Sequence, residues 1–317
     1  MNKPNIISRD GESLRESFGL AISGLAKANR DVLVLDGDVA GGTGSHYFRT
    51  AFPERFIQCG IAEQNMVGVA AGLARSGWTP VVTSFAVFLL RAFEQVRLSI
   101  AYTQSNVKLV GSHTGLDVGP DGASAQCLED VAAFRAMPGF TVVVPSSPRE
   151  IELATEQIIA LDGPVYMRSG RSSVPAVNYD DSFELGVARV VRDGCDCAII
   201  AAGRAVRESV LASDELMKLG IQARVINMST IKPLDEHAVT SAAAECSFVV
   251  TVEDHNIVGG LGSAVAEVLA ETPSAVKLMR IGVEDRFGES GEPGDLYRKF
   301  GLDHASLVIR IRDFLGA

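Results

Sequence analysis

Ala62-Glu-Gln-Asn-Met-Val-Gly-Val-Ala-Ala-Gly-Leu-Ala-Arg75, followed after three residues by Thr79-Pro-Val-Val-Thr83, decides the fold. The first stretch has the length and composition of an apolar helix, and the second is a short run suited to a buried strand. The same pairing recurs on both sides. Upstream, a helical pattern over 11–27 leads into Asp31-Val-Leu-Val-Leu35, whose length and flanks suit a buried parallel strand. Downstream, helices over 88–102, 128–136 and 148–160 alternate with strands over 107–110, 141–144 and 165–168. Strands separated by helices of this length need crossover connections, so the expected fold is α/β, a doubly wound parallel sheet covered on both faces. Ligands of such folds sit beyond the carboxyl ends of the strands. That directs attention to the loops 36–46, 84–88, 111–126 and 169–173.

The chain has 317 residues, more than a single core usually serves, so two domains are expected. Residues 172–183 hold Pro175, Asn178 and two aspartates without periodicity, which places the boundary between 1–175 and 176–317. A smaller α/β unit follows, with strands over 197–201, 223–227, 248–252 and 276–280 and helices over 206–219, 234–244 and 262–269. With 47% hydrophobic and 21% charged residues the chain has the composition of a folded protein. Its net charge of −10, with no basic cluster, argues against a nucleic-acid partner. No apolar run is long enough to cross a bilayer, and residues 1–10 lack the apolar core of a secretion signal, so no membrane partner and a cytoplasmic location are expected. The five cysteines show neither zinc nor disulfide spacing. Most of the five read as reduced and buried, and Cys195-Asp-Cys197, at the start of an apolar strand, reads as two ordinary thiols rather than as a redox motif.

Three local features could carry chemistry. Gly60-Ile-Ala-Glu63-Gln-Asn65 puts a carboxylate at the start of an otherwise apolar helix, where a glutamate can also do no more than complement the helix dipole. Thr83-Ser-Phe85-Ala-Val-Phe88 brings two aromatics to a strand end; such rings are ordinarily core, but they also offer flat faces on which a heteroaromatic group can stack. Ser112-His113-Thr-Gly-Leu-Asp117-Val-Gly-Pro-Asp121-Gly122 is too polar and Gly-rich for core, and is either a solvated surface loop or a functional one.

In this order and spacing, the three features resemble the pyrimidine-binding half of transketolase. The resemblance continues to the C-terminal stretch Thr251-Val-Glu-Asp-His255-Asn-Ile-Val-Gly-Gly-Leu-Gly262 and so covers essentially the whole chain. Related patterns occur in deoxyxylulose phosphate synthase and in the beta subunits of 2-oxo acid dehydrogenases. The resemblance implies a thiamine diphosphate pyrimidine-binding domain over 1–175 and a transketolase C-terminal-like domain over 176–317. It also implies that Glu63 is catalytic, bonding a pyrimidine nitrogen of thiamine diphosphate and so activating the thiazolium carbon. A carboxyl in a dry site suits that task, because lost solvation lets it share or donate a proton. Phe85 and Phe88 would flank or stack on the aminopyrimidine. His113, Asp121 and Arg171 would face the substrate, with Arg171 on a phosphate or sulfonate; a salt bridge near the linker is its other reading. Arg91 is given no role. Where the family usually has a histidine before glutamine, this chain has Ala125, which suggests an altered donor or acceptor.

The Gly-Asp-Gly motif and later asparagines through which the family holds Mg²⁺ and the cofactor's diphosphate are not found, since Asp36-Gly37-Asp38 has the wrong order. The expectation is a split enzyme. An N-terminal transketolase-like partner subunit would bind diphosphate and Mg²⁺, and an α2β2 assembly would place Glu63 across the interface. The expected reaction is transfer of a two-carbon ketol unit from a ketose, usually phosphorylated, to an aldose. The alternatives are a decarboxylating subunit of the 2-oxo acid dehydrogenase or deoxyxylulose type, or a noncatalytic assembly subunit.

Overall fold

The computed structural model describes residues 13–173, 182–273 and 275–316. The boundary expected at 175/176 lies outside these residues, as does the start of the first expected helix. Twelve strands occur among the described residues: β1 Val32–Asp36, β2 Phe56–Gln58, β3 Thr79–Phe85, β4 Lys108–Ser112, β5 Thr141–Val143, β6 Val165–Ser169, β7 Arg189–Arg192, β8 Cys197–Ala201, β9 Ala223–Asn227, β10 Thr230–Lys232, β11 Phe248–Asn256 and β12 Lys277–Val283. They form a seven-stranded sheet in the order β10-β5-β6-β4-β3-β1-β2 and a five-stranded sheet in the order β12-β11-β8-β9-β7. All pairings are parallel except β10 on β5 and β7 on β9. The chain is therefore the doubly wound α/β protein that the sequence implies.

Every residue of β1, β4, β6 and β8 is buried, as strands covered by helices on both faces require. One of them is a lysine. The Lys108 side chain is fully buried, and its Nζ donates to the carbonyls of Leu161 and Gly163 at 2.7 Å each. Burial pushes its pKa down to about 7.

Two expectations need correction. The helix expected over 88–102 is broken into short turns, Ala86–Leu89, Leu90–Ala92 and Phe93–Gln95, and ends in the wider π turn Val96–Ala101. The loop 36–46 contains a helical turn, Ala40–Thr43, and runs into the helix His46–Ala51. Strand β10, from the second half of the chain, completes the edge of the first sheet.

That crossing is one of several ties between the two units. Arg168, at the end of β6, forms a buried ion pair with Asp130 and donates to the Asp254 carbonyl of β11 at 2.8 Å. The Asp254 carboxylate accepts from the Leu116 amide at 2.8 Å. Glu150, at the start of the helix Pro148–Ala160, accepts from Ser146, Asn227 and Ser229. The loop that follows β4 is thereby held against the second sheet.

Candidate active site

Strand β3 ends at Phe85, and the next helical turn presents Phe88 beside it, with ring centres 5.2 Å apart and planes 18° from parallel. The neighbouring strand β4 ends at Ser112, so His113 emerges at the same edge and stacks on Phe85 at 3.6 Å. Three flat rings therefore line up beyond the strand ends. This close approach needs Gly42: a Cβ there would lie 2.5 Å from Phe85 Cε1 and 3.3 Å from His113 Cε1. His113 itself sits at φ 55°, a conformation that a non-glycine residue seldom adopts.

His113 is 3% exposed. Its pKa is pushed down to about 3, chiefly by burial and then by the charges of Arg171 and Arg15, against an opposing pull from Asp117. The imidazole is thus neutral at ordinary pH, with one nitrogen to donate and one to accept. Nδ1 lies 3.1 Å from Ser112 Oγ, and Nε2 lies 4.0 Å from Asp121 Oδ2. Asp121 Oδ1 is 3.4 Å from Arg171 Nη1, which also donates to the Val118 carbonyl.

On the other side of the ring stack, Glu63 begins the helix Glu63–Arg75 and is only 4% exposed. Its Oε1 accepts from Arg91 Nη1 at 3.1 Å, and the Arg91 guanidinium lies 4.4 Å from the centre of the Phe88 ring. All six residues singled out in the sequence therefore lie, with Arg91, on one line of contacts: Glu63, Arg91, Phe88, Phe85, His113, Asp121, Arg171. Arg91, left without a role, is the link that joins Glu63 to the rest.

The sequence reading also passed over Arg15. Its charge reaches His113, and its Nε is buried without a hydrogen-bond partner. No local pattern marks it, because helix Leu14–Leu25 reaches the site through tertiary packing, against the turn at Gly44 and through the Arg15 amide, which donates to the Gly170 carbonyl at 3.2 Å. Ala125 is buried beside this loop, where its amide donates to the Gly122 carbonyl.

Asp36 spends its carboxylate on the Val39 amide, Ser45 and Gln58. Among the described residues no three His, Cys, Asp or Glu side chains are grouped to hold a metal ion. Nor is Cys197 poised for redox work, since burial pushes its thiol up to about 12.

The chain is thus an α/β protein that gathers stacked rings, a buried carboxylate and arginines at its strand ends. Comparison with known proteins names the family. The description "Transketolase, pyrimidine binding domain" matches residues 11–177, and "Transketolase, C-terminal domain" matches residues 186–307. A 6-deoxy-6-sulfo-D-fructose transketolase subunit of a Clostridium species is 41% identical over 312 residues, 97% of this chain and 96% of that protein. An apulose-4-phosphate transketolase subunit of Phocaeicola vulgatus is 38% identical over 304 residues, 95% of this chain and 97% of its own. A solved split gene transketolase, an inactive beta4 tetramer, superposes with a TM-score of 0.89 at 41% identity, covering 96% of this chain and 98% of that one. The chain belongs to the transketolase family.

Proposed function

We propose that this chain is the pyrimidine-binding subunit of a split transketolase. Jointly with an N-terminal-type partner that holds the diphosphate and Mg²⁺, it would transfer a two-carbon ketol unit from a ketose to an aldose. The observation that carries the reading is the unbroken line of contacts from Glu63 through the ring stack to Arg171. A cofactor-type end and an anion-type end on one chain are what this reading requires. Thiamine diphosphate, when bound, would supply a nucleophilic thiazolium carbon for the ketose carbonyl. Glu63 would exchange a proton with the pyrimidine ring, and Phe85 and Phe88 would fix that ring's plane. Neutral His113 would donate to or accept from a sugar oxygen without a charge of its own, while Asp121 would accept from a hydroxyl. Arg171, joined by Arg15, would hold a phosphate or sulfonate at the far end of the sugar.

The surface around Glu63 supports a partner there. Ile61, Val69, Leu98 and Tyr102 are exposed apolar side chains on the segments that carry Glu63 and follow Arg91. Such a cluster is what a protein interface buries. Copurification followed by mass measurement tests the assembly. An α2β2 complex is expected, and a lone chain that binds thiamine diphosphate tightly and turns over substrate contradicts it.

A further inference from the structure

The Glu63 carboxylate and the Phe88 ring, two of the three groups assigned above to the aminopyrimidine, are both occupied by one side chain. Arg91 Nη1 donates to Glu63 Oε1 at 3.1 Å, and the guanidinium lies over Phe88 at 4.4 Å. The guanidinium is planar, stacks by its face and donates N–H groups from its edge, as an aminopyrimidine does. One ring face and one carboxylate oxygen cannot serve both groups.

Two further details make Arg91 movable. Its side chain is 53% exposed, so solvent lies open to it, while Glu63 at 4% has nowhere to turn. Its backbone is fixed separately, because Gln64 Nε2 donates to the Arg91 carbonyl at 3.2 Å. The side chain can therefore leave without the turn unfolding.

We propose that Arg91 is a placeholder in the pyrimidine site. It covers Phe88 and neutralises the buried Glu63 carboxylate until thiamine diphosphate displaces it. The inference rests on the cofactor reading given above and adds a residue and a direction to it. A buried carboxylate left without a partner before assembly is costly, and the placeholder removes that penalty. The consequence is that cofactor binding must break one half-exposed ion pair and one cation–π contact.

Titration calorimetry of thiamine diphosphate with Mg²⁺ into the complex of this chain with its partner tests the inference, using wild type, Arg91→Ala and Arg91→Lys. Loss of these two contacts predicts binding about three- to tenfold tighter for Arg91→Ala, with Arg91→Lys in between. In the isolated chain, the Arg91 Nε–Hε resonance carries a ring-current shift from Phe88, and that shift disappears when cofactor is added to the complex. Equal or weaker binding by Arg91→Ala, or a ring-current shift that persists with cofactor bound, overturns the placeholder and makes Arg91 a permanent support for Glu63. A wild-type complex that takes up no cofactor overturns the cofactor reading itself, and the placeholder with it.

Discussion

Arg168→Met removes a charge from the seam between the two units. Arg168 is buried and donates to both oxygens of Asp130, which is 0% exposed, as well as to the Asp254 carbonyl at 2.8 Å. The variant strands Asp130 as a buried carboxylate with, among the described residues, only the Tyr166 hydroxyl left to donate to it. Breaking a buried pair from one side costs about 3–5 kcal/mol, which is a large part of the stability of most domains. Replacing both partners by apolar groups of similar volume costs far less, so Arg168→Met/Asp130→Leu should be more stable than Arg168→Met alone. A pH signature follows from the sign of the shifts. In the wild type the Arg168 charge and its hydrogen bonds hold the Asp130 pKa below the usual carboxylate value. That stability is present above the unfolded pKa and is lost as pH falls through the folded one. In Arg168→Met only burial remains as the dominant influence, the Asp130 pKa rises, and the folded state takes up a proton before the unfolded state does. The stability gap to wild type therefore narrows as pH falls from 7 towards 4. Urea denaturation of the three proteins at several pH values measures this. A single variant within about 1 kcal/mol of wild type, or a double variant as unstable as the single, refutes the reasoning.

The remaining predictions concern the core and the site. Lys108 has a folded pKa of about 7, below its unfolded value of 10.5, so the unfolded state binds more protons between these values. Wild type should therefore gain on Lys108→Met by up to about 1.4 kcal/mol per pH unit from pH 7 upwards, and a gap in denaturation midpoint that is independent of pH would contradict it. Gly42→Ala places a Cβ 2.5 Å from the Phe85 ring and should displace it, weakening cofactor binding in a calorimetric titration by about tenfold or more while leaving the fold intact by circular dichroism. Arg171→Gln should lower kcat/KM about 10- to 100-fold for a ketose with an anionic end and much less for an uncharged analogue, as loss of one charge-assisted contact implies; equal losses for both would show that Arg171 does not hold the anion.

The sequence disclosed the core of the fold because its strands are continuous apolar runs. The stretches that became β1, β3, β4, β5, β6, β8, β9, β11 and β12 could be read directly. Strands β2, β7 and β10 were missed: each has only three or four residues, and the first two lie half open at sheet edges with no apolar run to mark them. The C-terminal helix His304–Leu315 was overlooked although a signal exists, in the capping Asp303 and the buried pair Leu307 and Ile311 four residues apart. In the site, Glu63, Phe85, Phe88, His113, Asp121 and Arg171 stand in local patterns that sequence alone can display. Arg91 and Arg15 do not. The Arg91 partner is 28 residues away, and Arg15 reaches the site from the first helix, so only the packed chain reveals them. The broken helix over 88–102 is another case, since short apolar stretches give no sign of where a helix will tighten or widen.

In the proposed enzyme, Glu63 would activate a cofactor whose diphosphate another chain holds. The most direct test of that role is thiamine diphosphate-dependent ketol transfer by this chain purified with its partner, comparing wild type with Glu63→Gln. No turnover is expected from the lone chain, turnover from the complex, and a loss of about 100- to 10,000-fold in kcat for Glu63→Gln in an intact complex, the range expected for a positioned proton-transfer group. Turnover by the lone chain, or near-normal kcat in the Glu63→Gln complex, would contradict it.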